Sequence, residues 1–356
     1  MKRILVAPLN WGLGHASRCI PLIKTLHQLG AEVILASDGA ALQLLRAEFP
    51  DMPSFALPSY RIHYRTANMV WNIAQQLPRI LYAIRAEHQT TARLVREHGI
   101  NGIISDNRYG CFSSKASSVM LTHQLKLRVP GPRALEWSVN ALLGKALARF
   151  DAVWVPDYEG AQNLSGELAH TADPVHRRLS FIGPLTRMRH AEREQEYDVA
   201  VVLSGPEPQR TILEQRLMEQ ALGLPHRFIF IQGKTKSRKH HYAADNVEVV
   251  SYLTSRELND ALSASEVIVC RSGYSSIMDL AALGKKAILI PTPGQTEQEY
   301  LAEFFSTRNI YLIQSQEKIN LEAGLEQVGA TTGLHFSLFP PAASYEAQLQ
   351  AWLDAL

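Results

Sequence analysis

Short apolar runs alternate with amphipathic stretches along the whole chain. In the first half, "RILVAP", "AEVILAS", "INGIISD", "ASSVMLTHQL" and "FDAVWVPD" each predict a strand, while "ASRCIPLIKTLHQLG" and "GAALQLLRAEF" predict helices. In the second half, "YDVAVVLSG", "HRFIFIQG", "VEVVSYL", "SEVIVCRSG", "KKAILIP" and "NIYLIQ" predict six more strands with helical stretches between. Strand-length apolar runs separated by helix-period segments predict parallel βαβ units, hence an α/β fold. Residues 60–98 interrupt the rhythm with a mostly helical segment in which Pro78 predicts a break or a helix start. The stretch "GPLTRMRHAEREQEY", a Gly-Pro turn running into charge, is the predicted linker. It divides the chain into an N-terminal domain, 1–185, and a C-terminal domain, 186–340. The last residues, 341–356, predict a helix packing back near the interdomain cleft. Two doubly wound Rossmann-like domains would bind ligands at the C-terminal edges of their strands.

Charge changes this picture more than composition does. The net charge is +2, yet residues 1–189 hold 22 Lys+Arg and 13 Asp+Glu, and residues 190–356 hold 14 and 21. Opposite signs in the two halves predict different partners for each. Residues 60–98 and 126–149 mix basic residues with aromatic and aliphatic ones such as Met69, Trp71, Ile80, Leu81 and Tyr82. That mixture suits either an interfacial membrane patch or a helical face whose apolar side is core. No run approaches the ~18 apolar residues of a membrane span. Cys19, Cys111 and Cys270 are far apart and form no CxxC, which fits a reduced, cytoplasmic setting. No recognised nucleic-acid module is present, so nucleic acid is not an expected partner.

Two stretches carry candidate chemistry. The turn "NWGLGHASR" lies between the first strand and the first helix. Gly12 and Gly14 there allow close backbone approach to a substrate. His15, at the helix start, is a candidate general base, since an ordinary imidazole titrates near pH 6.5. Helix capping or acceptor orientation is its other reading. Asp106, ending "GIISD" and followed by Asn107 and Arg108, is a second candidate: base, or positioner of His15 or the acceptor. In the second half, a strand ending at Cys270 delivers Arg271, Ser272 and Gly273 to a helix beginning near Ser275 or Ser276. Free helix N–H groups, hydroxyls and a guanidinium fork suit phosphate oxygens. Asp279 follows eight residues after Arg271 and can accept from ribose hydroxyls. Gly294, Gln295 and Gln298 then supply a turn and two amides toward sugar hydroxyls. No Asp-x-Asp anchor occurs, and His240 and His241, being adjacent, point apart in a basic loop, so no metal is expected.

These residues resemble the GT-B glycosyltransferases, most closely the peptidoglycan N-acetylglucosaminyltransferase (MurG-like) family. "RSGYSSIMD" is similar to that family's R-x-G-A element with a hydroxyl residue and an acidic residue eight after the arginine. "IPTPGQTEQEYLA" is similar to its Pro-rich loop with glutamines. Two departures stand out: Asp279 is shorter than the family's Glu, and Leu301 replaces its Asn. The resemblance implies roles for Ser204 and Gly205 in "VLSG" at the diphosphate and for Gly233 and Lys234 in the next sheet-edge loop. It implies base contacts by Tyr252 and Leu253. His123 and Gln124 in "LTHQL" resemble a reduced form of the family's H-E-Q-N element and, with Gly12, Gly14, Asn107 and Arg108, form the expected acceptor side. The implied activity is metal-independent, inverting transfer of a hexosyl or N-acetylhexosaminyl unit from a UDP-sugar to a hydroxyl, on an acceptor that is a sugar or lipid-linked. A cell-envelope role and peripheral contact with the inner membrane face follow from the same resemblance. The stretch "GLGHASRC", with Arg18 and Cys19, also resembles the hydrolase of pseudaminic-acid synthesis, which implies the alternative: a UDP-sugar hydrolase in which His15 activates water.

Overall fold

The computed structural model describes the chain apart from residues 61–68, 130, 172–175, 235–237 and 340–343, and for 69–75 the backbone alone. The apolar runs form two seven-stranded sheets. The first holds β1 (Arg3–Pro8), β2 (Glu32–Ser37), β3 (Ser54–Ala56), β4 (Gly102–Asp106), β5 (Ser117–Leu121), β6 (Ala152–Val155) and β7 (Leu179–Phe181). Its order is β3-β2-β1-β4-β5-β6-β7, with every pairing parallel. The second holds β8 (Tyr197–Val202), β9 (Phe228–Ile231), β10 (His240–Ala244), β11 (Val247–Val250), β12 (Ser265–Cys270), β13 (Lys286–Leu289) and β14 (Leu312–Ile313). Its order is β10-β11-β9-β8-β12-β13-β14, and only β10 runs antiparallel to its neighbour.

Burial on both faces explains why these strands read as continuous apolar runs rather than alternating ones. Ile4, Leu5, Val6 and Ala7 of β1 are fully buried, as are Ala200 and Val201 of β8. The connecting helices are α1 (Gly14–Gln28), α2 (Gly39–Glu48), α3 (Met69–His98) and α4 (Arg133–Leu147) in the first half. In the second they are α5 (Gln209–Ala221), α6 (Ser255–Ser263), α7 (Tyr274–Leu283), α8 (Thr296–Ser306) and α9 (Leu321–Val328), and α10 (Tyr345–Asp354) ends the chain.

Three strands escape the sequence pattern. β3 and β7 have three residues each and sit at the sheet edges, too short to show a period. β10 corrects the solvated-loop reading of His240 and His241: both residues are exposed, but they pair with Val250 and Val249 of β11. Pro78 neither starts nor breaks a helix but lies inside α3. Residues 61–68 of the basic-aromatic segment, and the side chains of Met69 and Trp71, lie outside the described set.

The chain divides into two units between Leu185 and Thr186. One contains residues 1–10, 15–185 and 340–356; the other contains Trp11–Gly14 and Thr186–Phe339. α10 therefore belongs with the first sheet. Trp352 Nε1 donates to Ser117 Oγ (3.0 Å), and its ring meets Trp154 edge-on at 5.5 Å. Gly102 leaves room for that indole, because a Cβ there would lie 2.5 Å from Cη2. Gly102 and Ser117 begin β4 and β5, so α10 packs at the N-terminal ends of these strands. That is the end of the first sheet away from its C-terminal strand edge.

Candidate active site

In each sheet the strand order reverses beside the first strand of its half, between β1 and β4 and between β8 and β12. Open α/β sheets bind ligands at such points, beyond the C-terminal strand ends. In the first unit, Pro8 lies opposite Asp106 across β1 and β4, so the loop into α1 starts beside that carboxylate.

His15 Nδ1 meets Asp106 Oδ1 at 2.8 Å. Arg18, one turn further along α1, clamps the same carboxylate: Nε donates to Oδ2 at 2.6 Å, and Nη2 donates to Oδ1. Cys19 Sγ is 3.6 Å from Oδ2. Burial alone would raise the Asp106 carboxyl, but Arg18 and His15 hold it well below the usual carboxylate range. Asp106 is fully buried and ionised, with both oxygens engaged. Its contacts favour the positioning reading of Asp106 over the reading as a base, since neither oxygen is left without a partner. An ionised acceptor at Nδ1 draws the imidazole proton there and leaves Nε2 bare. The His15 side chain keeps 15% exposure. Burial and the Asp106 charge push the Cys19 thiol up, so it stays protonated and is no nucleophile.

Other expected acceptor residues separate into two kinds. His123 joins the cluster, its Nδ1 2.9 Å from Arg18 Nη1. Asn107 is buried, adopts φ 56° and has no hydrogen bond to Oδ1 among the described residues. Arg108, by contrast, is structural. It is fully buried and donates to Glu87 Oε1 (2.5 Å), Asp38 Oδ1 (2.7 Å) and the Pro58 carbonyl (2.7 Å), so its guanidinium is tied to buried groups of the first unit. Gln124 is half-buried just past β5, its N–H on Thr122 Oγ1 (3.1 Å). Gly12 adopts φ 81° over open space.

In the second unit, Cys270 lies opposite Val202, so the loops after β8 and β12 start side by side. Gly205 follows Ser204 with φ 101°, a conformation that favours glycine. A Cβ there would lie 3.6 Å from Thr292 Oγ1 and 4.0 Å from Arg271 Nε. Both those atoms are buried and lack hydrogen-bond partners among the described residues. The rest of the Arg271 guanidinium is committed: Nη1 donates to the Ile290 and Pro291 carbonyls, and Nη2 to the Gln209 carbonyl and Gln316 Oε1. Desolvation brings Arg271 down to about 10. A buried cation with an unpaired N–H beside an unpaired hydroxyl and a bare glycine offers donors that suit an anion.

Around it, α7 starts behind Gly273, its N-cap, with Ser276 half-buried in the first turn. Ser272 is a correction: it is buried and its hydroxyl is spent on the Gln298 carbonyl (2.7 Å). Ser275 Oγ donates to the Gly14 carbonyl (3.0 Å), Gly14 being counted in this unit. Asp279 accepts from Thr186 Oγ1 (2.5 Å), and desolvation lifts its carboxyl to about 6 against the pull of Arg187 and Thr186. Gln298 is buried, and its Oε1 takes the Thr292 N–H (2.8 Å). Gln295 caps α8, and Gly294, at φ 76°, gives its N–H to Glu299 Oε1. Gly233 needs its φ of 68° because a Cβ would lie 2.7 Å from the Leu203 carbonyl. Lys234 pairs with Glu214 at 3.2 Å. Tyr252 and Leu253 are half-buried just past β11. Arg18 and Thr292 are the residues the sequence reading left without a role. The spacing His15-x-x-Arg18 places both on one helix face, a signal that was available.

Comparison with known proteins agrees with this geometry. Residues 210–334 match the model of the glycosyltransferase family 28 C-terminal domain. An uncharacterized glycosyltransferase of Methanopyrus kandleri is 21% identical over 309 residues, 83% of this chain and 88% of that protein. The UDP-N-acetylglucosamine–N-acetylmuramyl-(pentapeptide) pyrophosphoryl-undecaprenol N-acetylglucosamine transferase of Methylorubrum extorquens is 22% identical, over 92% of this chain and 83% of its own. Among solved structures, MurG of Acinetobacter baumannii superposes with a TM-score of 0.57 at 11% identity, covering 100% of both chains. The calicheamicin glycosyltransferase reaches 0.61 at 14% identity, covering 100% of this chain and 94% of its own. The fold is GT-B, and the protein is a glycosyltransferase. Within that class it is similar to MurG, in fold and over the C-terminal family 28 region.

Proposed function

We propose that the protein transfers a hexosyl or N-acetylhexosaminyl unit from a UDP-sugar to the hydroxyl of a lipid-linked acceptor, with inversion and without a metal ion. The observation that carries the reading is the His15–Asp106 pair, which leaves one bare imidazole nitrogen on a partly exposed side chain at a strand switch point. In this reading His15 Nε2 takes the acceptor O–H proton. The freed oxygen attacks the anomeric carbon, the C1–O bond to the β-phosphate breaks, and UDP leaves with the electron pair. The Arg271 Nε, Thr292 Oγ1 and α7 N–H groups receive the diphosphate charge, a task divalent metals perform elsewhere. Asp279 accepts from the ribose hydroxyls.

A lipid-linked acceptor is supported by the surface of the first unit. Tyr82 on α3 is 75% exposed and Trp137 on α4 is 74% exposed, with Leu81 and Leu142 exposed beside them in sequence. Arg79, Arg85, Arg133 and Lys145 are exposed on the same two helices. Such a mixture suits the cytoplasmic, anionic face of a membrane. No described helix is long and apolar enough to cross one.

The hydrolase reading has its own observation: Arg18 and Cys19, the residues of that resemblance, both meet Asp106. One assay separates the two. UDP release from UDP-N-acetylglucosamine is followed with and without a bacterial lipid extract. Release that needs the extract, with sugar appearing in the lipid fraction, is the expected result. Release in buffer alone with equal free sugar would establish the hydrolase instead.

A further inference from the structure

We propose that Arg18 is the positioning residue of this site, a buried cation that fixes opposite tautomers on His15 and His123. The inference rests on His15 acting as the base.

Arg18 is 1% exposed and contacts three functional groups at once. Its Nε and Nη2 hold the two oxygens of Asp106, Nη1 lies 2.9 Å from His123 Nδ1, and Nη2 lies 3.0 Å from His15 Nδ1. A guanidinium donates and never accepts. Nδ1 of His123 must therefore be the acceptor, and a neutral His123 carries its proton on Nε2.

The same rule looks ambiguous at His15, whose Nδ1 faces both the Arg18 donor and the Asp106 acceptor. The distances and charges decide it. The contact with Asp106 is shorter, 2.8 against 3.0 Å, and involves a carboxylate. Were Nδ1 bare, two acceptors would meet at 2.8 Å with no proton between them, while Arg18 already has better partners in the carboxylate oxygens. His15 thus carries its proton on Nδ1. One guanidinium produces both outcomes: it keeps Asp106 anionic, which draws a proton to His15 Nδ1, and it occupies His123 Nδ1, which excludes one there.

The charged and titratable groups around His15 are Arg18 and Cys19 on α1, Asp106 and Tyr109 at the end of β4, and His123 after β5. Among them Arg18 is the sole permanent cation.

The first test uses the unmodified protein. Nitrogen-15 spectra of histidine-labelled enzyme at pH 8.5, assigned with His15→Ala and His123→Gln, should show His15 protonated on Nδ1 and His123 on Nε2. The same tautomer on both would overturn the proposal. The second test is a double-mutant cycle. Arg18→Lys keeps a cation but loses the fork. It should lower kcat at least 30-fold with donor KM unchanged, because the two-point hold on Asp106 that sets the His15 proton on Nδ1 is lost. In a His15→Ala background it should add less than threefold. A purely structural Arg18 would instead lower melting temperature and active fraction, leave kcat per folded molecule in place and multiply with His15→Ala, which would sink the proposal. Full activity in His15→Ala would overturn the base reading itself, a separate result. Should Arg18→Lys not fold, the spectra decide alone.

Discussion

Asp106 reaches His15 because β1 and β4 lie side by side with Pro8 opposite Asp106. Ninety residues of chain separate the two side chains, yet the parallel register brings them to hydrogen-bond distance. The pair is thus a product of topology, and its chemistry can be tested one side chain at a time.

His15→Ala should lower kcat by about 10²–10⁴, the usual worth of a positioned general base. Donor KM should stay within a factor of a few, since the donor contacts lie on other elements. Steady-state assays with saturating acceptor would show whether kcat or KM carries the loss.

Asp106→Asn should damage catalysis as much as His15→Ala does, because a neutral amide no longer dictates the imidazole tautomer. It should also destabilise the fold by about 3–5 kcal/mol, the cost of leaving a buried cation unpaired. In the wild type the depressed Asp106 carboxyl contributes stability that is complete above its unfolded value, about 3.9. That contribution is lost as pH falls below it toward the folded value. Urea midpoints measured from pH 7 down to pH 3 should fall in the wild type, with the part due to Asp106 absent in the Asn variant.

Asp279 behaves in the opposite sense. Its folded carboxyl titrates at about 6, so its contribution favours the folded state below about pH 4 and disappears as pH rises through 6. A carboxylate accepts from a diol better than an acid does. UDP-sugar affinity should therefore strengthen between pH 5 and 7, and Asp279→Asn should flatten that dependence. Calorimetric titration with UDP across this range would check it.

Gly205→Ala places a methyl group in front of Arg271 Nε and Thr292 Oγ1 and forces a side chain into φ 101°. Donor KM should rise by an order of magnitude or more while kcat changes less. Treatment with a chelator should leave turnover unchanged. A loss restored by Mn²⁺ or Mg²⁺ would refute the metal-independent mechanism.

Much of this was legible in the sequence, for identifiable reasons. Long apolar runs such as Ile4–Ala7 and Val267–Cys270 declare strands buried on both faces. The Gly205 and Gly273 turns mark the C-terminal strand edge at which open α/β sheets bind ligands. What stayed hidden depends on three-dimensional register. Arg108 and Arg271 look alike in sequence, each an arginine just past a strand. Arg108 is tied by ion pairs to Glu87 and Asp38, whereas Arg271 keeps one buried N–H without a partner among the described residues. Only the positions of distant side chains separate a strut from a binding group. Ser272 and Ser276 divide in the same way, four residues apart on one strand-to-helix turn.

The Trp352–Gly102 contact has a consequence for how the protein is made. Gly102→Ala should cost about 1–3 kcal/mol by overpacking, measurable as a lowered urea midpoint without loss of kcat per folded molecule. The larger point is temporal. A ribosome completes all of the first sheet, and then the whole second unit, before it delivers the indole that covers the start of β4. Until then the first unit lacks the ring that covers the start of β4, so its last packing step waits for the end of the chain.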